Sequence, residues 1–266
     1  MILAIDIGNT NVVIGGIRGV ESDRGIDIVF EARIATDHIK TSDQYAVEIR
    51  NILNLFEVDL GQVEDSIISS VVPPVFNSVC TAVVKLTHRQ PIVVAPGVKT
   101  GLNIRMDNPA QVGSDLIVDA VAAFHDYPTP LIVIDMGTAT TISLIGRGNV
   151  YLGGCIAPGL RVSLDALSSS AAQLFGIRLE EPNRVIGKNT IECMRSGVMY
   201  GHAAMIDGII DRMEAELGEP IASVIATGGI SQFVVPLCRQ KIHYDKDLLL
   251  KGLAIIYRNE RAAGKI

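Results

Sequence analysis

Apolar and polar positions alternate along this chain in blocks, and one block is written twice. Ile2-Leu-Ala-Ile-Asp-Ile-Gly-Asn-Thr-Asn-Val-Val-Ile-Gly-Gly16 is an apolar run that reaches an acid, turns through glycine and polar residues, and returns as a second β-branched run. Leu131-Ile-Val-Ile-Asp-Met-Gly-Thr-Ala-Thr-Thr-Ile-Ser-Leu-Ile-Gly146 has the same order, so Asp6 matches Asp135 and Gly8 matches Gly137. Each copy predicts a buried strand, a tight turn and an antiparallel return. The turn presents backbone N–H groups beside a carboxylate. Taken singly, either Asp-x-Gly reads equally well as an ordinary hairpin turn. The repetition favours a pair of phosphate-holding tips, with a cation at each acid.

Between and after these blocks the period changes from two to 3.6. A further strand is expected from Ile26 to Ile34, then a loop over Thr36–Lys40. Thr41 and Gln44 form a capping box ahead of a helical stripe through Ala46, Ile49, Ile52, Leu53 and Phe56. Ser66 to Val72 predicts a buried strand stopped by Pro73-Pro74, with a helix from Val75 to Leu86 and a short strand over Pro91–Ala95. Gly101 to Gln111 is irregular. A helix is expected over Leu116–Phe124, which places Ser114 or Asp115 at its N-terminus. Asp115 is there either a cap or first-turn acid, or a carboxylate at the edge of a cleft.

Beyond the second hairpin, a strand over Val150–Ile156 leads through Ala157-Pro-Gly159 to a helix running toward Ser170. Asn189 or Thr190 opens a long helical region to Leu217, interrupted by Gly197, Gly201 and Gly208, which mark tight helix packing in this reading. A strand over Ile221–Ala226 meets Thr227-Gly-Gly229, with helices from Ser231 and from Asp247 to Arg261. Strands alternating with helices make the class α/β. No Pro- or Ser-rich linker appears, so the halves, 1–113 and 114–266, are expected to be fused across one cleft.

Composition narrows the functions. The 266 residues are 48% hydrophobic and 20% charged, which suits a globular chain with room for two cores. A net charge of −6 without a Lys/Arg cluster argues against nucleic-acid binding. The start of the chain lacks the features of a signal peptide and no apolar run is long enough to span a bilayer, so a cytoplasmic protein without membrane contact is expected. Cys80, Cys155, Cys193 and Cys238 are scattered and read as reduced, mostly buried residues.

Three glycine-bearing strand ends occur in a fixed order: Asp6-x-Gly8, Asp135-x-Gly137 and Ala226-Thr-Gly-Gly229. The order resembles the actin, Hsp70 and sugar-kinase superfamily, which implies two related ribonuclease H-like halves with ATP between two phosphate hairpins and an adenosine loop. Walker-type and dinucleotide-type glycine signatures are absent. Within that superfamily, Asp6-Ile-Gly-Asn-Thr10, Ser69-Ser-Val-Val-Pro-Pro74, Asn108-Pro-x-x-Val-Gly-x-Asp115, Asp135-Met-Gly-Thr-Ala-Thr140, Gly153-Gly-x-Ile-x-Pro-Gly-Leu160, Ile186-Gly-x-Asn-Thr190, Ile206-Asp-Gly208 and Thr227-Gly-Gly229 resemble the type III pantothenate kinases along the whole chain.

The resemblance implies transfer of the ATP γ-phosphate to pantothenate, the first step toward coenzyme A. It implies that Gly8, Asn9, Thr10 and Asn11 cradle ATP phosphates, that Asp6 holds Mg²⁺, and that Thr138 gives a second phosphate contact. Gly228 and Gly229 would line the adenosine side. Asp135 would hold a monovalent cation, potassium or ammonium. Gly113, Ser114 and Asp115 would bind the acceptor, with Asp115 as the base that takes the hydroxyl proton. A homodimer is also implied.

One departure concerns the acceptor. Leu116 stands where the family usually has Arg after Gly-x-Asp, Met106 where an aromatic usually precedes Asn-Pro, and Ala171 where a Thr is common. A forked guanidinium replaced by an alkyl group removes a charge-assisted contact. Two alternatives therefore stand beside the pantothenate kinase: a paralogous kinase for another hydroxyl compound, and a nucleotide-binding regulator with little catalysis.

Overall fold

The computed structural model describes residues 1–20, 25–170 and 176–264. Its chain groups into two compact units: Met1–Leu102 with Asp107–Ala122 and Leu248–Ile266, and Asn103–Met106 with Ala123–Asp247. The expected boundary at 113 falls just before a helix whose first nine residues group with the first unit. The closing helix returns to that unit.

The first unit opens with β1 (Ile2–Ile7), β2 (Asn11–Arg18) and β3 (Asp27–Ala35), an antiparallel meander. Helix α1 (Ser42–Leu55) comes next, with Thr41 and Gln44 forming the expected capping box. Strand β4 (Asp65–Ser70) then pairs parallel to β1. It ends two residues earlier than expected, because Val71 and Val72 turn the chain into α2 (Pro73–Thr87). That helix starts on the two prolines, whose missing N–H groups would have no helical partner there anyway. Strand β5 (Ile92–Val93) completes a sheet of order β3-β2-β1-β4-β5. Leu3, Ile5 and Ile7 of β1 pack one sheet face against Tyr45 and Ile49 of α1 and Val79 and Val83 of α2, all essentially buried. Burial of each such large side chain contributes about 1.5–3 kcal/mol.

A two-residue strand β6 (Asn103–Ile104), too short for a sequence signal, joins the second sheet. Helix α3 (Ser114–Asp126) begins earlier than expected, which puts Ser114 and Asp115 in its first turn. The second unit repeats the first: β7 (Leu131–Met136), β8 (Ala139–Gly146) and β9 (Val150–Pro158) form the meander. After α4 (Leu160–Ser170) and α5 (Thr190–Leu217), strand β10 (Ser223–Thr227) pairs parallel to β7. A short α6 (Ser231–Val234) leads to β11 (His243–Tyr244), parallel to β10.

The sheet order is β11-β10-β7-β8-β9-β6. Without β6, it is the first sheet's order read from the other end. Even the irregularities correspond: after the sixth residue of the second strand, between Gly16 and Ile17 and between Leu144 and Ile145, the third strand carries one extra residue, Val29 in β3 and Leu152 in β9. Helix α5 runs unbroken through all three glycines, contrary to the interruption read from the sequence. Gly197 and Gly201 have open space around them, so they do not mark packing within this chain. Cys155 and Cys193 are exposed, which corrects the expectation of mostly buried thiols, and all four cysteines are free.

Helix α7 (Leu248–Ala262) covers the other face of the first sheet, packing on β1, β2 and β4. At Gly15, a Cβ would lie 2.7 Å from Leu250, so glycine lets the helix approach the strand. At Gly252, a Cβ would lie 2.1 Å from the Val118 carbonyl oxygen of α3, a backbone atom with no room to swing aside. Gly252→Ala gains about 1 kcal/mol of helix propensity but forces an overpacking cost of about 1–3 kcal/mol. The expected result is a net loss, read as a lower urea midpoint with an unchanged m-value.

Candidate active site

In the first unit, the β1–β2 turn is closed by the Gly8 N–H donating to the Asn11 carbonyl at 3.0 Å. Asn9, Thr10 and Asn11 are exposed at the tip, whereas Asp6 below it is buried. Thr36, in the stretch read as a plain loop, braces this tip from the end of β3. Its hydroxyl donates to the Gly8 carbonyl at 2.6 Å and its N–H to the Thr10 carbonyl at 3.0 Å.

The second tip is one residue shorter but closed by a bond at the matching glycine. The Gly137 N–H donates to the Ala139 carbonyl at 3.0 Å, and Gly137 and Thr138 are exposed. Gly159, just past β9 as Thr36 is just past β3, donates its N–H to the Thr138 carbonyl at 3.1 Å. Thr10 and Thr138 therefore hold equivalent places, each just before the second strand of its meander. At Gly159 a Cβ would lie 2.3 Å from the Thr138 oxygen, so the brace requires glycine in this half.

Parallel pairing adds the fourth strand of each sheet. Asp6 is in register with Ser69 on β4, and Asp135 with Thr227 on β10. Thr227 leads into Gly228, which takes a φ of +88°; a Cβ there would lie 2.6 Å from the Met136 oxygen and 2.7 Å from Asp135 Oδ1. The Thr227-Gly-Gly229 loop thus lies directly against the second acidic strand end. Ser231 secures it by donating its N–H to the Gly228 carbonyl at 3.2 Å.

On the first sheet, Ser69 and Ser70 receive the N-terminus of α3. Ser69 Oγ donates to Ser114 Oγ at 2.9 Å, the Ser70 N–H donates to the same oxygen at 3.2 Å, and Ser114 Oγ donates to the Ser70 carbonyl at 3.0 Å. These bonds place Asp115 beside the strand end that carries Asp6. Asp115 Oδ1 accepts the Leu116 N–H at 2.8 Å and lies where a Cβ on Gly113 would be 2.4 Å away. Burial raises the Asp115 carboxyl above its ordinary value, and hydrogen bonds from the main chain only partly offset that. An acid so placed is a stronger base once ionised.

Two buried groups gave no signal of their roles in the sequence. His202 of α5 lies 2.7 Å from Thr140 Oγ1, and burial lowers its pKa, which keeps the ring neutral. Asp207, in the Ile206-Asp-Gly208 motif, accepts the N–H groups of Arg239 and Gln240, the former at 2.9 Å and the latter at 3.0 Å, and so fixes the approach to β11. Of the altered acceptor positions, Leu116 is half-buried on α3. Met106 is partly exposed and packs by its sulfur against Gly153, and Ala171 lies outside the described residues.

The family model for type III pantothenate kinase matches residues 2–212. The chain belongs to the type III pantothenate kinase family. Curated type III pantothenate kinases of Exiguobacterium sp. and Moorella thermoacetica are 45% and 42% identical, over 98% and 97% of this chain and 100% and 98% of theirs. Among solved structures, one from Campylobacter jejuni described as a Baf family transcriptional activator aligns with a TM-score of 0.59 at 18% identity, over 99% of this chain and 100% of that one. The activator of 2-hydroxyisocaproyl-CoA dehydratase from Clostridium difficile aligns at 0.57 and 13%, over 99% and 96%. These likenesses show the fold, the duplicated α/β architecture of the actin-like ATPases.

For this type III pantothenate kinase family member, the raised Asp115 pKa fixes a sign. The neutral carboxyl is the form the folded state favours, so its contribution to stability is present at low pH and lost as pH rises through the raised pKa. Asp115→Asn, which stays neutral, is expected to melt at or above the wild-type temperature at pH 7. That advantage should shrink as pH falls below the ordinary carboxylate range, as monitored by thermal melts across pH.

Proposed function

We propose that this chain transfers the γ-phosphoryl group of ATP to the 4′-hydroxyl of pantothenate, with Asp115 as the base that takes the hydroxyl proton. The observation that carries the reading is a half-buried carboxylate in the first turn of α3, its pKa raised by desolvation, held through its neighbour's hydrogen bonds to the strand beside Asp6. Membership of a kinase family over the full chain supports it. Phosphoryl transfer asks mainly for positioning and charge neutralisation. The tip residues Gly8, Asn9, Thr10 and Asn11 would hold phosphate oxygens, Thr138 would do so from the equivalent place in the second unit, and Gly228 and Gly229 would face the adenosine. Gly113 and Ser114 would meet the acceptor through their main chain, because the Ser114 hydroxyl already uses its one donor and both acceptor positions.

The residues suit Mg²⁺ bound with ATP. Among the described residues there is no group of three or more His, Cys, Asp or Glu placed to hold a metal, and Mg²⁺ is typically held by one or two carboxylates together with phosphates and water. Asp6 supplies such a hard oxygen at the phosphate tip, and the ion would neutralise charge on the transferred group. Asp135 would hold a monovalent cation. No helix among the described residues is long and apolar enough to cross a membrane, and a cytoplasmic setting accords with that chemistry.

The chain would work as a homodimer. Cys193, Gly197, Gly201 and Ala204 form an exposed stripe of small residues on α5 beside exposed Leu167 of α4, against which the same helix of a second copy would pack. Gly201→Arg is expected to convert a dimer to a monomer in light scattering.

A coupled assay with MgATP and pantothenate tests the activity. Wild type should turn over pantothenate, with kcat/KM rising with pH along an acid limb set above the ordinary carboxylate range. Asp115→Asn should lose about 10²–10⁴-fold in kcat, the usual weight of a general base. Turnover of another alcohol in place of pantothenate would assign a different acceptor, and nucleotide binding without turnover would assign a regulator.

A further inference from the structure

The hydroxyls of Ser69, Ser114 and the main chain of Ser70 form a closed set, and its position bears on Asp115. Ser69 is fully buried and in register with Asp6, so the two side chains leave the same face of the first sheet. Its hydroxyl proton goes to Ser114 Oγ, whose second acceptor position takes the Ser70 N–H and whose own proton goes to the Ser70 carbonyl. Ser70 in turn accepts the Val72 N–H on its hydroxyl at 3.1 Å, which shapes the turn into α2.

A serine at the start of a helix ordinarily caps that helix. Ser114 instead spends its hydroxyl on another element, forty-four and forty-five positions away in sequence. Meanwhile Asp115 takes the Leu116 N–H, so the capping duty of this first turn has moved to the carboxylate itself. Two constraints then meet at Asp115: the Ser114 bonds fix the helix end against β4, and the local bond to Leu116 fixes the carboxylate plane.

We propose that Ser69 is a positioning residue for the reaction: through Ser114 it registers the first turn of α3 to the strand end carrying Asp6, and so sets where the Asp115 carboxylate stands. This rests on Asp115 being the base. Loss of the Ser69 hydroxyl removes one of the three bonds and leaves a partly buried Ser114 lone pair without its donor. The carboxylate then samples positions away from the attacking hydroxyl, a loss felt in kcat rather than in nucleotide binding.

Steady-state kinetics of Ser69→Ala, Ser69→Thr and Ser114→Ala with MgATP and pantothenate test it, with Asp115→Asn run in parallel. Ser69→Ala should lower kcat about five- to tenfold, the weight of one buried hydrogen bond, with the KM for ATP held within about twofold. Ser69→Thr, which keeps the hydroxyl on a strand that favours β-branching, should recover most of the rate. The Ser69→Ala, Ser114→Ala double variant should be no slower than Ser114→Ala, because both act through one set of bonds. Should Ser69→Ala not fold, Ser69→Cys, of similar size and a poor donor, gives the same comparison.

Wild-type kcat in Ser69→Ala beside an inactive Asp115→Asn overturns the positioning role and leaves the base assignment standing. An active Asp115→Asn overturns the base assignment instead. A Ser69→Ala loss that Ser69→Thr does not restore, or that falls equally on the KM for ATP, assigns Ser69 to structure alone and also overturns the proposal.

Discussion

The arrangement rests on parallel pairing between the first and fourth strands of each sheet. A parallel pair fixes which residue lies beside which, and a slip of one place would turn every side chain to the opposite face. Here the register sets a carboxylate next to a buried hydroxyl in both units, Asp6 beside Ser69 and Asp135 beside Thr227. Apolar residues on either side of each acid hold that register, because Ile5 and Ile7 have to face the core formed with α1 and α2. The polar pair is carried into place by its greasy neighbours.

On this shared frame the two units have diverged just beyond the hydroxyl. After Ser69 the chain makes a second serine and a helix, and receives the start of α3 with its acid. After Thr227 it makes two glycines, and the backbone closes on Asp135 where a side chain would collide. One frame thus presents the Asp115 carboxylate and the other a bare main-chain surface. The braces on the two tips show the same economy: a threonine hydroxyl and N–H in one, a glycine N–H in the other, at matching positions.

Much of this was legible in the residues because it lies in local patterns. The two hairpins, the capping box at Thr41 and the helix holding Asp115 come from alternation, spacing and polar punctuation close in sequence. The duplication itself was readable from Asp6 and Asp135. Thr36 was not, because nothing near it in sequence shows that the end of β3 returns to the Gly8 turn. Ser69 was visible as part of a motif, but its bond to Ser114 joins residues far apart in the chain. Strands β6 and β11 are two residues each and exist only because a neighbour offers its edge. The glycines of α5 misled in the opposite direction: the helix continues through them, and the space beside Gly197 and Gly201 is open.

The return of α7 to the first sheet has a consequence for biosynthesis. The strands it covers leave the ribosome long before the helix does, so the β2 face around Gly15 has to wait for Leu250. At translation rates of about 5–20 residues per second the interval is on the order of tens of seconds. Throughout that time the nascent sheet exposes an unfinished apolar surface, and its final form depends on a segment not yet made. Chaperone occupancy during elongation should therefore concentrate on this sheet while α7 is still unmade.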